Sequence, residues 1–205
     1  MKTADLIKRY PIISDQVDAR ELSILLTELE QLLKKGVTGT VVEFGCYAGT
    51  TSLFIRRLLD AYKSDSVYHV YDSFEGLPEK TEHDKSVAGD QFIAGELCAS
   101  RKLFMENFKK AGLRPPVVHK GWFSQMHDDA VPSDIMFAFL DGDYYESIRD
   151  SLRLVTPKLV SGAVVVIDDY MSEALPGAAV ATDEWAKSRG YTIRRVASLA
   201  IIVIP

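Results

Sequence analysis

Apolar residues recur at helical spacing early in the chain. Leu22, Leu25, Leu26, Leu29, Leu32 and Leu33 share one face, and Gly36 follows the last of them. Three- and four-residue spacing marks an amphipathic helix, and glycine is the residue that ends one in a left-handed turn. The pattern predicts a helix from a Ser14 cap to about Lys35. Beyond it, strand and helix patterns alternate. Thr40–Phe44, Val67–Asp72, Pro116–His119, Ile135–Leu140 and Ala163–Ile167 are short apolar runs of strand length. Thr50–Tyr62, Leu97–Ala111, Tyr145–Leu159 and Val180–Ser188 between and after them read as helices, and Tyr191–Ala197 with Leu199–Ile204 reads as a closing hairpin. Apolar strands separated by helices require a largely parallel sheet covered on both faces. The expected fold is therefore α/β and Rossmann-like, mostly parallel, with an antiparallel C-terminal strand. The 205 residues fit one domain, with residues 1–36 as a helical segment packing on it. One stretch fits neither pattern. Ser73–Gly95 is polar and contains glycine, and a loop of that length is expected to be a mobile cover over bound substrates.

Charge narrows the function. With 24 basic against 29 acidic residues the formal charge is -5, which offers no electrostatic footprint for nucleic acid or an anionic membrane. No apolar run approaches the roughly 20 residues of a membrane span. Met1–Tyr10 has no apolar stretch after its lysines, which argues against a secretory signal. Cys46 and Cys98 sit in neither a CxxC nor a zinc-like spacing. Reduced thiols in a cytoplasmic protein are the expectation.

Sheets of this kind bind ligands beyond the carboxyl ends of their strands, so the chemistry is sought there. The first strand ends in Glu43-Phe44-Gly45-Cys46-Tyr47-Ala48-Gly49-Thr50-Thr51. Glycines at such a turn let a ligand approach the main chain, and the helix that follows offers unpaired N–H groups. The second strand ends in Asp72 and Ser73, and an acidic side chain there can accept both hydroxyls of a ribose. The pairing points to a nucleoside ligand. The three-glycine nicotinamide spacing is absent. The fourth strand runs into Asp141-Gly142-Asp143 and the fifth into Asp168-Asp169. Clustered carboxylates repel unless a cation intervenes, and oxygen-only ligands suit Mg²⁺. Asp141, Asp168 and Asp169 are the candidate ligands; the same residues could instead cap helices. His83, in the long loop, is a candidate proton acceptor. Trp122, after Gly121, is either core packing or a wall for an adenine ring.

Four segments carry a family resemblance: GVTGTVVEFGCYAGTTS (Gly36–Ser52), YDSFEGLP (Tyr71–Pro78), FLDGDYYES (Phe139–Ser147) and PKLVSGAVVVIDDY (Pro157–Tyr170). Together they resemble the macrocin O-methyltransferases, which include sugar O-methyltransferases of macrolide and aminocoumarin antibiotic biosynthesis. The resemblance implies a class I methyltransferase fold, S-adenosylmethionine as donor and Mg²⁺ dependence. By motif, Glu43 and Gly45 would line the donor pocket and Asp72 would hold the donor ribose. Asp141, Asp168 and Asp169 would bind the metal, with Asp141 also serving as general base. Gly49, Thr50, Ser73, Trp122 and Asp141 complete the candidate donor-binding set, and Asp141 and His83 the candidate catalytic pair. The chain is shorter at its N-terminus than the antibiotic enzymes, so a reduced or different substrate lid is expected.

The expected activity is methyl transfer from S-adenosylmethionine to a hydroxyl of a small molecule, a sugar or other diol. A homo-oligomer is compatible with that reading, and neither nucleic acid nor membrane is an expected partner. Two alternatives differ in kind. A catechol methyltransferase would need a flatter, more aromatic acceptor site, and a module that only binds the donor would not need the carboxylates.

Overall fold

The alternating segments close into one seven-stranded sheet of order β3-β2-β1-β4-β5-β7-β6. A computed structural model describes residues 2–88 and 91–205. The strands are β1 (Thr40–Phe44), β2 (Tyr68–Asp72), β3 (Val117–Lys120), β4 (Ile135–Leu140), β5 (Leu159–Ile167), β6 (Arg194–Val196) and β7 (Leu199–Val203). β1 to β5 pair in parallel, while β7 runs antiparallel to both β5 and β6. The helices are α1 (Lys2–Arg9), α2 (Ala19–Lys35), α3 (Thr50–Ala61), α4 (Arg101–Ala111), α5 (Tyr145–Val155) and α6 (Pro176–Arg189). This is the expected Rossmann-like sheet with its antiparallel C-terminal end.

Period-two alternation assigns the two cores. Val41, Phe139, Val164, Val166 and Ile201 face α2, α3 and α4 on one side. Val42, Phe44, Ala138, Leu140, Val165 and Ile202 face α5 and α6 on the other. Successive side chains in a strand point to opposite faces, so a strand buried on both faces must be apolar throughout. β4 meets that demand, with all six residues buried.

Several boundaries differ from expectation for local physical reasons. α2 starts at Ala19 rather than after Ser14, because the Asp18 carboxylate accepts from the amides of Arg20 and Glu21 at 2.8 and 3.1 Å. α4 begins at Arg101, where Ser100 caps the amide of Leu103 at 3.1 Å. α5 stops at Val155, and Pro157 lies in a 3-10 turn over Thr156–Lys158. β5 then begins at Leu159, before the fully apolar run. α1 has no strong sequence signature, and tertiary contacts hold it. The buried Glu30 carboxylate accepts from the Lys2 amide (2.9 Å), the Thr3 hydroxyl (2.8 Å) and the Tyr62 hydroxyl (2.6 Å), tying α1 to α2 and α3. The segment expected to be a mobile cover, Ser73–Gly95, includes positions 89 and 90, which lie outside the described residues. Part of its described length is pinned. Buried Asp84 accepts from the amides of Thr81 (2.8 Å) and Tyr145 (2.7 Å), joining a 3-10 turn at Glu82–Asp84 to the start of α5.

Candidate active site

Main-chain hydrogen bonds carry the ladder past the ends of the parallel strands. Gly45 N–H donates to Tyr71 O (2.9 Å), Asp141 N–H to Phe44 O (2.8 Å), Asp168 N–H to Leu140 O (2.9 Å) and Gly121 N–H to Asp72 O (2.9 Å). This alignment gathers residues far apart in sequence around one cavity of about 540 Å³. Its wall includes Gly45, Asp72, Ser73, Trp122, Asp141, Asp168 and Asp169.

The glycine turn is shaped by close approach. A Cβ on Gly45 would lie 1.8 Å from the carbonyl oxygen of Asp141, and its φ of +85° is a conformation that costs other residues energy. Gly45 therefore lets the ends of β1 and β4 touch. Asp72 fastens the same turn. One of its carboxylate oxygens accepts from the amides of Cys46 (2.8 Å) and Tyr47 (3.2 Å), and the other from Phe74 (2.7 Å). A carboxylate has about four lone-pair sites, so room remains for ligand hydroxyls.

Across the cavity, Asp141, Asp143 and Asp169 each offer an oxygen within 4.8 Å of the others. Asp143 and Asp169 have φ of +60° and +56°, a left-handed backbone that for non-glycine residues persists where surrounding structure enforces it. Burial, and then repulsion from Asp168, Asp143 and Asp169, holds the Asp141 pKa well above the usual carboxylate range. Burial, and then Asp168 and Asp72, push Asp143 up to about 7, and Asp169 is raised well above its ordinary value by burial and by Asp168. A group of this kind fits a hard divalent cation: the donors are all oxygens and their mutual repulsion calls for positive charge. Asp168 lies on the same wall but is otherwise engaged. Its carboxylate accepts from the Asp169 amide (2.8 Å) and the Ser198 hydroxyl (3.2 Å), which shapes the turn that presents Asp169. Of the three carboxylates anticipated as ligands, the close set holds Asp141 and Asp169, and Asp143 takes the third place.

Four other candidates lie off the wall. Glu43 sits behind the turn on the α3 side, fully buried, accepting from the hydroxyls of Ser52 (2.6 Å) and Tyr68. Burial lifts its pKa to about 7, and its Oε1 has no partner among the described residues. Gly49 serves packing, since a Cβ there would meet the Phe104 ring at 2.8 Å. Thr50 is buried. His83 is exposed, stacks on Tyr145 with ring centroids 4.1 Å apart, and is not part of the cavity wall.

A family profile described as macrocin O-methyltransferase (TylF) matches residues 12–197. The chain belongs to the macrocin O-methyltransferase family. Among its relatives is the 8-demethyl-8-(2,3-dimethoxy-alpha-L-rhamnosyl)-tetracenomycin-C 4'-O-methyltransferase of Streptomyces olivaceus. The two are 34% identical over 165 residues, covering 77% of this chain and 63% of that protein. The mycinamicin III 3''-O-methyltransferase of Micromonospora griseorubida is 30% identical over 192 residues, covering 89% of this chain and 74% of that one. This chain thus spans under two thirds of the length of the first relative. Among solved structures, the O-methyltransferase NovP superposes with a TM-score of 0.80 at 25% identity, over 92% of this chain and 81% of NovP. The calicheamicin methyltransferase CalS11 does so with a TM-score of 0.76 at 17% identity, over 98% and 90% of the two chains, which shows a shared fold.

Three groups of contributors to the site are not singled out by the sequence. Asp143 was visible in the DGD run, but only the turn after β4 shows that it points with Asp141. Cys46 and Tyr47 enter through their amides, which a side-chain pattern does not reveal. The linker residues Asp15–Asp18 and Glu21 of α2 also line the cavity, a placement that only the fold makes.

Proposed function

We propose that this macrocin-family chain transfers a methyl group from S-adenosylmethionine to a hydroxyl of a small molecule, a sugar or other diol, with a divalent cation of the Mg²⁺ type. One observation carries the reading: the glycine turn with Asp72 and the close set Asp141, Asp143 and Asp169 share one cavity. The first half suits a nucleoside-bearing donor, and the second suits a cation together with a hydroxyl.

In this reading Asp72 accepts the donor's ribose hydroxyls while it holds the amides of Cys46 and Tyr47. Trp122, on the same wall, supplies an aromatic face for the adenine. Asp141, Asp143 and Asp169 hold the cation, and Asp168 orients the last of these through the Asp169 amide. When bound, such an ion lowers the pKa of an acceptor hydroxyl and orients it. Asp141, on the same wall, takes the hydroxyl proton. The acceptor oxygen then attacks the donor methyl: the C–O bond forms as the C–S bond breaks, and the sulfur leaves as a neutral thioether. The remainder of the acceleration is positioning of two substrates in one cavity.

The test is transfer of isotopically labelled methyl to sugar diols and catechols, with Mg²⁺ or with excess EDTA. Label should appear in the acceptor with Mg²⁺ and be lost in EDTA. Calorimetry should separately show that S-adenosylhomocysteine binds and NAD does not. Full-rate transfer in EDTA would remove the cation and return the aspartates to turn-forming and proton-transfer roles.

A further inference from the structure

Neither α5 nor α6 supplies its own N-terminal cap. Among the described residues, Tyr144 before α5 and Leu175 before α6 offer no side chain to the amides that follow. One carboxylate from a distant loop takes that place. Asp84, only 1% exposed, accepts from the Tyr145 amide at 2.7 Å, 61 residues away in sequence. Its other oxygen accepts from the amide and the hydroxyl of Thr81, at 2.8 and 2.7 Å. It sits so close to α6 that a Cβ on Gly177 would lie 1.9 Å from its Oδ1. The N-terminus of a helix favours a negative charge, and here one carboxylate lies beside two of them.

What Asp84 holds is the exit of the carboxylate turn. Tyr145 follows Asp141-Gly142-Asp143-Tyr144, and Asp143 has the left-handed φ of +60°. The Tyr144 amide donates back to Gly142 O at 2.6 Å, which closes the turn. A non-glycine residue stays in such a backbone only where its surroundings over-determine it. The loop after β2 supplies those surroundings. Asp84 fixes the Tyr145 amide, the His83 ring stacks on the Tyr145 ring with centroids 4.1 Å apart, and the Tyr144 hydroxyl donates to Phe92 O. The loop is held on its far side too, where the Ser86 hydroxyl donates to Glu173 O. Asp84 and His83 are not part of the cavity wall, so they act through Tyr145 and not on a ligand.

We infer that Asp84 is a positioning residue for the cation site: it aims Asp143 through the Tyr145 amide and couples the loop after β2 to that site. This rests on the proposed cation reading and adds to it a residue that the reading does not use. The physical reason lies in the turn. Asp143 needs its left-handed backbone to point with Asp141 and Asp169, whose oxygens lie within 4.8 Å of its own. A cation that binds only this arrangement favours the seated loop, and by linkage the seated loop favours the cation by the same factor. Groups that orient metal ligands from behind are commonly worth roughly 10- to 100-fold in metal affinity.

The experiment uses the full chain without donor or acceptor, with Mn²⁺ as the probe. Electron paramagnetic resonance of the free ion reads its affinity, and circular dichroism reads Tm. Asp84→Ala should weaken Mn²⁺ binding roughly tenfold, the low end of the range for such groups. Asp84→Asn keeps one oxygen, for Tyr145 or for Thr81, and should fall between. Gly177→Ala leaves the loop and the turn unaltered in sequence but drives a methyl group into the Asp84–Tyr145 contact, and should weaken Mn²⁺ as well. Glu82→Gln, an exposed change on the same 3-10 turn, should leave the affinity unchanged. In the wild type, saturating Mn²⁺ should slow tryptic cleavage after the exposed Lys85 by about the factor that Asp84→Ala loses in affinity, and it should not slow cleavage in Asp84→Ala. Unchanged Mn²⁺ affinity in folded Asp84→Ala overturns the inference and leaves the cation site standing, with Asp84 bracing the fold alone. If Asp84→Ala does not fold, Asp84→Asn and Gly177→Ala carry the same decision. No Mn²⁺ binding by the wild type overturns the cation reading, and this inference with it.

Discussion

Replacing Asp72 by alanine should weaken donor binding and loosen the Gly45–Tyr47 turn proposed to receive the donor, and the two effects can be separated. In the free protein the carboxylate accepts three amides, from Cys46 (2.8 Å), Tyr47 (3.2 Å) and Phe74 (2.7 Å). Hydrogen bonds to a charged group are worth about 1.5–3 kcal/mol each in favourable settings. Asp72 is only half-buried, so water replaces much of this loss. A net cost of about 2 kcal/mol corresponds to a drop in Tm of roughly 4–8 °C in a domain of this size. Donor binding loses two further hydrogen bonds from ribose hydroxyls, on the order of 2–4 kcal/mol, or roughly 30- to 1000-fold in affinity. Asp72→Asn should fall between. Its amide keeps one oxygen acceptor, so it can serve either the Cys46–Tyr47 pair or Phe74, but not both. Calorimetry with S-adenosylhomocysteine measures the affinity, and circular dichroism measures the melting temperature. A lowered Tm with unchanged affinity would refute the ribose assignment and leave Asp72 as a turn fastener alone.

Three other outcomes are expected. Asp169→Asn removes a charge from the close carboxylate set at nearly constant volume; the Mg²⁺ concentration for half-maximal transfer should rise at least tenfold while S-adenosylhomocysteine affinity is kept, and a parallel loss of both would count against separate donor and cation sites. Gly49→Ala places a Cβ 2.8 Å from the Phe104 ring at φ +89°, and thermal melting should show a loss of about 1–2 kcal/mol or more; an unchanged Tm would show that α4 yields freely. Burial opposes ionisation of Glu30, but its hydrogen bonds from Tyr62, Thr3, Lys34 and Lys2 win and hold its pKa at about 2, below the ordinary 4.5. A carboxylate with a depressed folded pKa stabilises the fold above the unfolded value and loses that contribution as pH falls through the folded one. An acid titration followed by circular dichroism should therefore show the wild type losing stability between about pH 4.5 and 2, and Glu30→Gln should be less stable at neutral pH and flatter across that window.

The order of strands and helices was legible because each element carries its own period. Six leucines at helical spacing are α2, and the six apolar residues Ile135–Leu140 are of strand length and run into a Gly-containing turn, which favours a strand covered on both sides. The positions of Gly45, Asp72, Asp141 and Asp168–Asp169 at strand ends followed from the same pattern, since chemistry on a parallel sheet collects where apolar runs stop. The tertiary structure decided matters that depend on direction and on contacts between distant segments. Which carboxylates converge depends on left-handed turns at Asp143 and Asp169, and on Ser198 drawing Asp168 aside. Glu43 reads as a pocket residue in one dimension, yet strand alternation turns it toward Ser52 and Tyr68, away from the wall. His83 stands in a promising loop but stacks on Tyr145 outside the cavity, because Asp84 next to it anchors the turn to α5. The linker residues Asp15–Asp18 on the cavity wall left no periodic trace, because a segment outside helix and strand carries no period of its own. Periodicity is a local property written along the chain, whereas the aim of a side chain and the meeting of separate loops exist only after the sheet has closed.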